Sequence, residues 1–134
     1  MLRRSGCVAL AAFALVACGS SKSEEDKIRD NVASFLAAFR AGDGGKACSL
    51  LTKRGQKQVM NGQSGKCEDV VAKEARQLEA PGRRQLRRAK VTKVEFDNGT
   101  TATAYVDFGV KDSPLAPFGL VRKGGDWLIT GAAS

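Results

Sequence analysis

Residues 91–110 read VTKVEFDNGTTATAYVDFGV, and this stretch decides the fold class. Before Gly82 the apolar residues recur three and four positions apart, as on helices; here the period drops to two. Val91–Phe96 and Thr101–Val110 are rich in β-branched and aromatic residues. Between them Asn98-Gly99 is the favoured dipeptide of a type I′ turn, so the spacing predicts a β-hairpin. In its second strand Ala102, Ala104, Val106, Phe108 and Val110 share one face. Thr101, Thr103, Tyr105 and Asp107 share the other. An apolar face and a polar face on one strand fit an antiparallel sheet lying on a core.

Downstream, Ser113–Pro117 (SPLAP) is a connection, and the pattern of a hairpin then repeats. Phe118–Arg122 and Trp127–Thr130 flank the turn Lys123-Gly124-Gly125-Asp126. Upstream, Ser23 and Asp26 make a capping box, with Glu24 and Glu25 at the positive end of the helix dipole. Ile28, Val32, Phe35, Leu36 and Phe39 form one apolar stripe, and Gly42 is the expected C-cap before the turn Asp43-Gly44-Gly45. A second helical stretch runs over about Lys46–Leu51 and buries Ala47, Leu50 and Leu51. Thr52 can cap a further turn or two through Val59 and Met60, which Gly55 weakens by about 1 kcal/mol. Asn61–Gly65 is a loop, and a third helix over Lys66–Glu79 places Cys67, Val71, Ala75 and Leu78 on one side before Pro81-Gly82 stops it. Helices first and a meander afterwards predict an α+β class: three N-terminal helices packed on a four-stranded antiparallel sheet.

The first residues of the chain carry an address. Arg3 and Arg4 precede an apolar run from Val8 to Ala17 that is too short to span about 30 Å of hydrocarbon. It ends on Leu15-Val16-Ala17-Cys18, which looks like a bacterial lipobox. The expected organisation is a signal peptide over 1–17, a lipidated Cys18 with a flexible tether over 18–22, and a domain over 23–134. The expected location is the extracytoplasmic face of the cell membrane, held by acyl chains on Cys18. Cys7 leaves with the signal. Cys48 and Cys67 remain in an oxidising compartment and have one possible pairing, so a Cys48–Cys67 disulfide is predicted. Zinc would need a fuller ligand set than two cysteines in a chain without histidine. No metal or other cofactor is expected.

Three stretches, NVASFLAAFRAGDGGKACSLLT (31–52), KCEDVVA (66–72) and LVRKGGDWLIT (120–130), resemble the nuclear-transport-factor-2-like superfamily, also called SnoaL-like or cystatin-like. Within it the chain resembles the branch of small actinobacterial lipoproteins, and the resemblance covers residues 24–130. It implies a long first helix lying across a strongly curved sheet, a cone whose mouth can hold an apolar ligand. Phe35, Phe39, Phe96, Val106, Phe108 and Trp127 would either surround that cavity or fill it. Some members, such as ketosteroid isomerase, are pocket enzymes that use Asp, Tyr or His. Here Tyr105 and Asp107 alternate away from Val106 and Phe108, hence outside the cone, and Glu95 is the other carboxylate to examine. No catalytic residue is assigned.

The sharpest surface feature is GRRQLRRAKVTK, residues 82–93. Arg83, Arg84, Arg87, Arg88, Lys90 and Lys93 stand there without an acidic residue, in a chain of formal charge +8. The run is either a solvated helix end and loop or a contact for anionic lipids and envelope polymers. Nucleic acid is not expected as a partner, because the chain is exported and no aromatic interleaves the charges. The sequence thus points to a non-catalytic, membrane-tethered module that binds a small apolar ligand or an envelope partner. The alternatives are a pocket enzyme and a structural module docked through its basic run.

Overall fold

The computed structural model describes residues 22–133. The expected signal (1–17), Cys18, and all of the tether but Lys22 lie outside the described residues. Among the described residues the fold is α+β, with five helices followed by four strands.

The longest helix, α1 (Glu24–Ala41), begins where its cap predicts. Ser23 Oγ accepts from the Asp26 backbone N–H at 3.1 Å, and three acidic residues occupy the first turn. Gly42, at φ 75°, ends it in the left-handed region. Ile28, Val32, Phe35, Leu36 and Ala38 are buried, while Phe39 is only half-buried. Helix α2 (Gly44–Ser49) follows at once, capped by Asp43. It lies against α4 (Cys67–Gln77), where Cys48 and Cys67 are buried and joined in the expected disulfide.

Two helices exceed the expected three. Thr52 Oγ1 accepts from the Gly55 N–H at 3.1 Å and caps a complete helix, α3 (Lys53–Met60). Helix α4 does end before Pro81, and Pro81 also stands in the first turn of a further helix, α5 (Ala80–Arg88). A proline there loses nothing, because first-turn N–H groups have no intrahelical acceptor.

The sheet has the order β1-β2-β3-β4, antiparallel throughout: β1 (Lys90–Phe96), β2 (Thr101–Asp107), β3 (Ala116–Lys123) and β4 (Asp126–Ala132). Ala102, Ala104 and Val106 face α1 and are buried, as alternation predicts. Val110 lies beyond the strand and is exposed, because β2 ends before Gly109, which has φ 72°. Val91 and Val94 are three apart, yet a bulge between Val91 and Lys93 keeps both against the core. The first hairpin does not use a type I′ turn. Asn98 Oδ1 accepts from the backbone N–H groups of Thr100 and Thr101, at 2.8 and 3.0 Å, and so closes a longer loop. Positive φ at both central positions occurs in the second hairpin, at Gly124 (60°) and Gly125 (96°).

Phe96 and Trp127 lie on opposite edge strands, which a flat sheet would separate by about 14 Å. Their ring centroids are 6.0 Å apart, edge to face. The sheet therefore curls strongly over α1. At that end Trp127 Nε1 donates to Glu24 Oε2 at 2.7 Å, and Asn31 Nδ2 donates to the Trp127 carbonyl. Arg29 reaches the opposite edge and donates to the Val91 carbonyl at 2.8 Å.

Candidate functional site

Helix α3 has few apolar residues, and its attachment to β4 is mostly backbone chemistry. The Thr52 N–H donates to the Ile129 carbonyl at 2.9 Å, and the Ile129 N–H to the Leu50 carbonyl at 2.9 Å, so the connection into α3 covers the β4 edge. Gly55 is buried against that edge: a Cβ there would lie 2.6 Å from the Ile129 carbonyl oxygen. One turn further on, Gln58 Oε1 accepts from the Ala132 N–H at 2.8 Å, across Gly131, where any side chain would collide with it. With both attachments fixed, the apolar residues between them do not close up. Phe35 of α1, Leu51, Val59 of α3, Phe118 of β3 and Ile129 of β4 wall a cleft of about 280 Å³, with Gln58 at its rim.

A larger hollow of about 860 Å³ lies beside the N-terminus of α3. Thr101, Thr103, Thr130, Lys53 and Arg54 help to line it. Ala102, Leu120 and Val121 line it too, so it is a trough of mixed polarity along the sheet.

The six aromatic and apolar residues expected around a cone do not surround one cavity. Phe35 walls the cleft. Phe39 stacks at a tilt 6.2 Å from it, half-buried. Val106 and Trp127 are core residues, at 0% and 3% exposure, and Phe108 is packed against that core from its margin. Phe96 is 47% exposed, because it closes an edge strand with a neighbour on one side only. The curl of the sheet is filled by the stripe of α1, leaving the cleft at its α3 end. Val59, Phe118, Leu51 and Ile129 were not among the residues expected to line a pocket. The only signal for them was Gly55 and Gly131, small residues where α3 meets β4.

The carboxylates of the first hairpin lie away from this cleft. Glu95 is exposed and accepts from Lys93 Nζ and from Tyr105 Oη, the latter at 3.0 Å. Hydrogen bonding from Lys93, then from Tyr105, holds the Glu95 carboxyl below its ordinary range. The same contact with Glu95 raises both the Lys93 ammonium and the Tyr105 phenol. A carboxylate stabilised in its charged form is a weaker base. Asp107 Oδ1 accepts from the Gly109 N–H at 2.7 Å and shapes the end of β2.

The basic run divides in two. Lys93 is engaged with Glu95 and lies 5.6 Å from the Tyr105 ring centroid, so it does not belong to a free cationic face. Arg83, Arg84, Arg87, Arg88 and Lys90 are exposed and have no acidic partner within 4.0 Å among the described residues. Among those residues, too, no helix is long and apolar enough to cross a membrane, and no cluster of His, Cys, Asp and Glu could hold a metal ion.

No family model matches the chain, and no curated protein matches it. Among solved structures it is similar to an NTF-2-like protein of unknown function from Shewanella oneidensis MR-1. That likeness covers 82% of this chain and 97% of that one, at 18% identity and a TM-score of 0.46.

Proposed function

We propose that this protein is an NTF-2-like lipoprotein with a non-catalytic role, held at the extracytoplasmic face of the cell membrane by acyl chains on Cys18. Its cleft between α3 and the sheet takes a small apolar ligand. The observation that carries the reading is the cleft: five apolar walls between two hydrogen-bonded attachments that keep it from collapsing. At about 280 Å³ it sits at the lower limit of small-molecule sites, so the ligand is small or leaves most of its length outside. The end of an acyl chain or a single apolar ring fits that description. The tether is supported by the basic start, the short apolar run and Leu15-Val16-Ala17-Cys18.

Native mass spectrometry of the full chain mixed with envelope lipid extract tests the ligand. One bound apolar species is expected on the wild type and none on Val59→Trp, whose ring fills the cleft. A wild type that emerges bare refutes ligand binding. Metabolic labelling with palmitate tests the tether: label is expected on the wild type and absent from Cys18→Ala. An unlabelled wild type removes the anchor from the proposal.

A further inference from the structure

We propose that α5 and the loop Gly109–Leu115 form one composite face that docks on an anionic lipid bilayer, the arginines meeting headgroup phosphates and Val110 and Leu115 entering the acyl boundary. This rests on the tethered reading above and adds an orientation to it.

Two independent features meet at this place. The first is α5, which has no buried residue. At about 100° per residue, Arg83, Arg84, Arg87 and Arg88 fall within an arc of roughly 140°, with Leu86 on the opposite side. Leu86 is packed against the core, so the arginine arc faces outward. The second is the loop. Every residue from Gly109 to Leu115 is exposed, and Val110 and Leu115 are each 40% exposed. A tight turn, with the Ser113 N–H donating to the Val110 carbonyl at 3.2 Å, brings Lys111 and Asp112 to its tip. The loop leaves β2 directly beside the helix: a side chain at Gly109 would stand 3.3 Å from Arg88 Cβ. Arg88 thus stands at the start of the loop, where Arg87, Lys90 and Lys111 add positive charge near the exposed Val110 and Leu115. Against them stand Asp107, whose carboxylate accepts from the Gly109 N–H, Asp112 of the loop and Glu79 at the start of α5.

Single exposed apolar residues are ordinary on a protein surface. An apolar pair set among cations is the composition of an interfacial element. A hydrated acidic polymer would satisfy the arginines yet give Val110 and Leu115 nothing, whereas a bilayer satisfies both. Position agrees as well. Arg29 binds the start of β1 through the Val91 carbonyl, about 8 Å along α1 from its first residue Glu24, just after Lys22, where the segment leading to the anchor begins. Tethering keeps the face at high effective concentration over the membrane, so a weak contact suffices to orient the domain.

The test uses the full chain in two sets of liposomes, phosphatidylcholine alone and phosphatidylcholine with phosphatidylglycerol. Flotation with the neutral set reads the anchor, and the difference in hydrogen exchange between sets reads the face. Amides of 83–88 and 110–115 should exchange about tenfold more slowly on anionic liposomes, with the protection lost in 0.5 M salt. Arg87→Glu/Arg88→Glu should abolish it, and so should Val110→Ser/Leu115→Ser, which keeps every charge. Equal exchange on both liposome sets overturns the proposal even if flotation succeeds. Equal protection by soluble polyphosphate, or persistence in the serine variant, replaces the bilayer with a polyanion and overturns it too.

Discussion

Helices α3 and α5 are close in length, basic and unpromising as sequence, yet the molecule treats them in opposite ways. The N-terminus of α3 is capped by a side chain, its glycine is buried against β4, and Gln58 latches its last turns to Ala132. Helix α5 starts without a side-chain cap, buries no residue and meets the core through the half-buried Leu86 and Ala89. Propensity does not separate them; tertiary contact does. The element fixed by hydrogen bonds walls a cleft, and the element resting on two half-buried side chains presents its charge to the surroundings. Four substitutions test that contrast.

The largest effect is expected from the disulfide. It bridges Cys48 and Cys67, 19 residues apart, and α3 lies wholly inside the closed loop while α5 lies outside it. Cys48→Ala/Cys67→Ala should lower stability by about 3 kcal/mol through the freed unfolded chain. Hydrogen exchange should accelerate in α3 far more than in α5. Equal acceleration in both would show that the two helices share one cooperative unit, against the contrast drawn above.

Gly55→Ala comes next. Alanine normally strengthens a helix by about 1 kcal/mol over glycine. Here the added methyl meets the Ile129 carbonyl oxygen at 2.6 Å, with Leu51 Cβ and Thr130 C at 3.3 Å, and backbone cannot swing aside. Crowding of about 3 kcal/mol against that gain leaves a net loss of about 2 kcal/mol. A thermal melt that rises would mean α3 does not approach β4 so closely. Thr52→Ala should cost about 1 kcal/mol, since it removes the cap bond to Gly55 N–H while the backbone bond to Ile129 survives. Urea titration reads it; no change in midpoint would show the cap to be dispensable.

These positions also mark where local sequence reading stops. The boundaries of α1 were legible because Ser23, Asp26 and Gly42 act on their own neighbours. The pairing of Cys48 with Cys67 followed from assigning Cys7 to the expected signal and Cys18 to the expected anchor, and the alternation of Ala102, Ala104 and Val106 from the period of two. Asn98-Gly99 misled because the Asn98 side chain captured two amides and made a different loop. Val91 and Val94 broke the strand period, which only the bulge reconciles. Gly55 read as a weakness because its purpose is a contact with Ile129, 74 positions away. The cleft was illegible for the same reason: its walls come from α1, α3 and two strands, and no local pattern reports how these meet.

The smallest effect should have the opposite sign. Gly82 lies in the first turns of α5, outside the positive-φ region, and a methyl there would meet Leu78 Cδ2 at 3.1 Å. That atom is the far end of a half-buried leucine, which a rotation of its side chain can move aside. Gly82→Ala should therefore keep most of the helix-propensity gain and stabilise the protein by about 0.5 kcal/mol. The same substitution, glycine to alanine in a short basic helix, then destabilises α3 and stabilises α5. A loss at Gly82 as large as that at Gly55 would mean that α5 is packed as tightly as α3. Its arginine arc would then be a by-product of packing, with no freedom to meet a surface. Differential scanning calorimetry of the two variants side by side measures both signs.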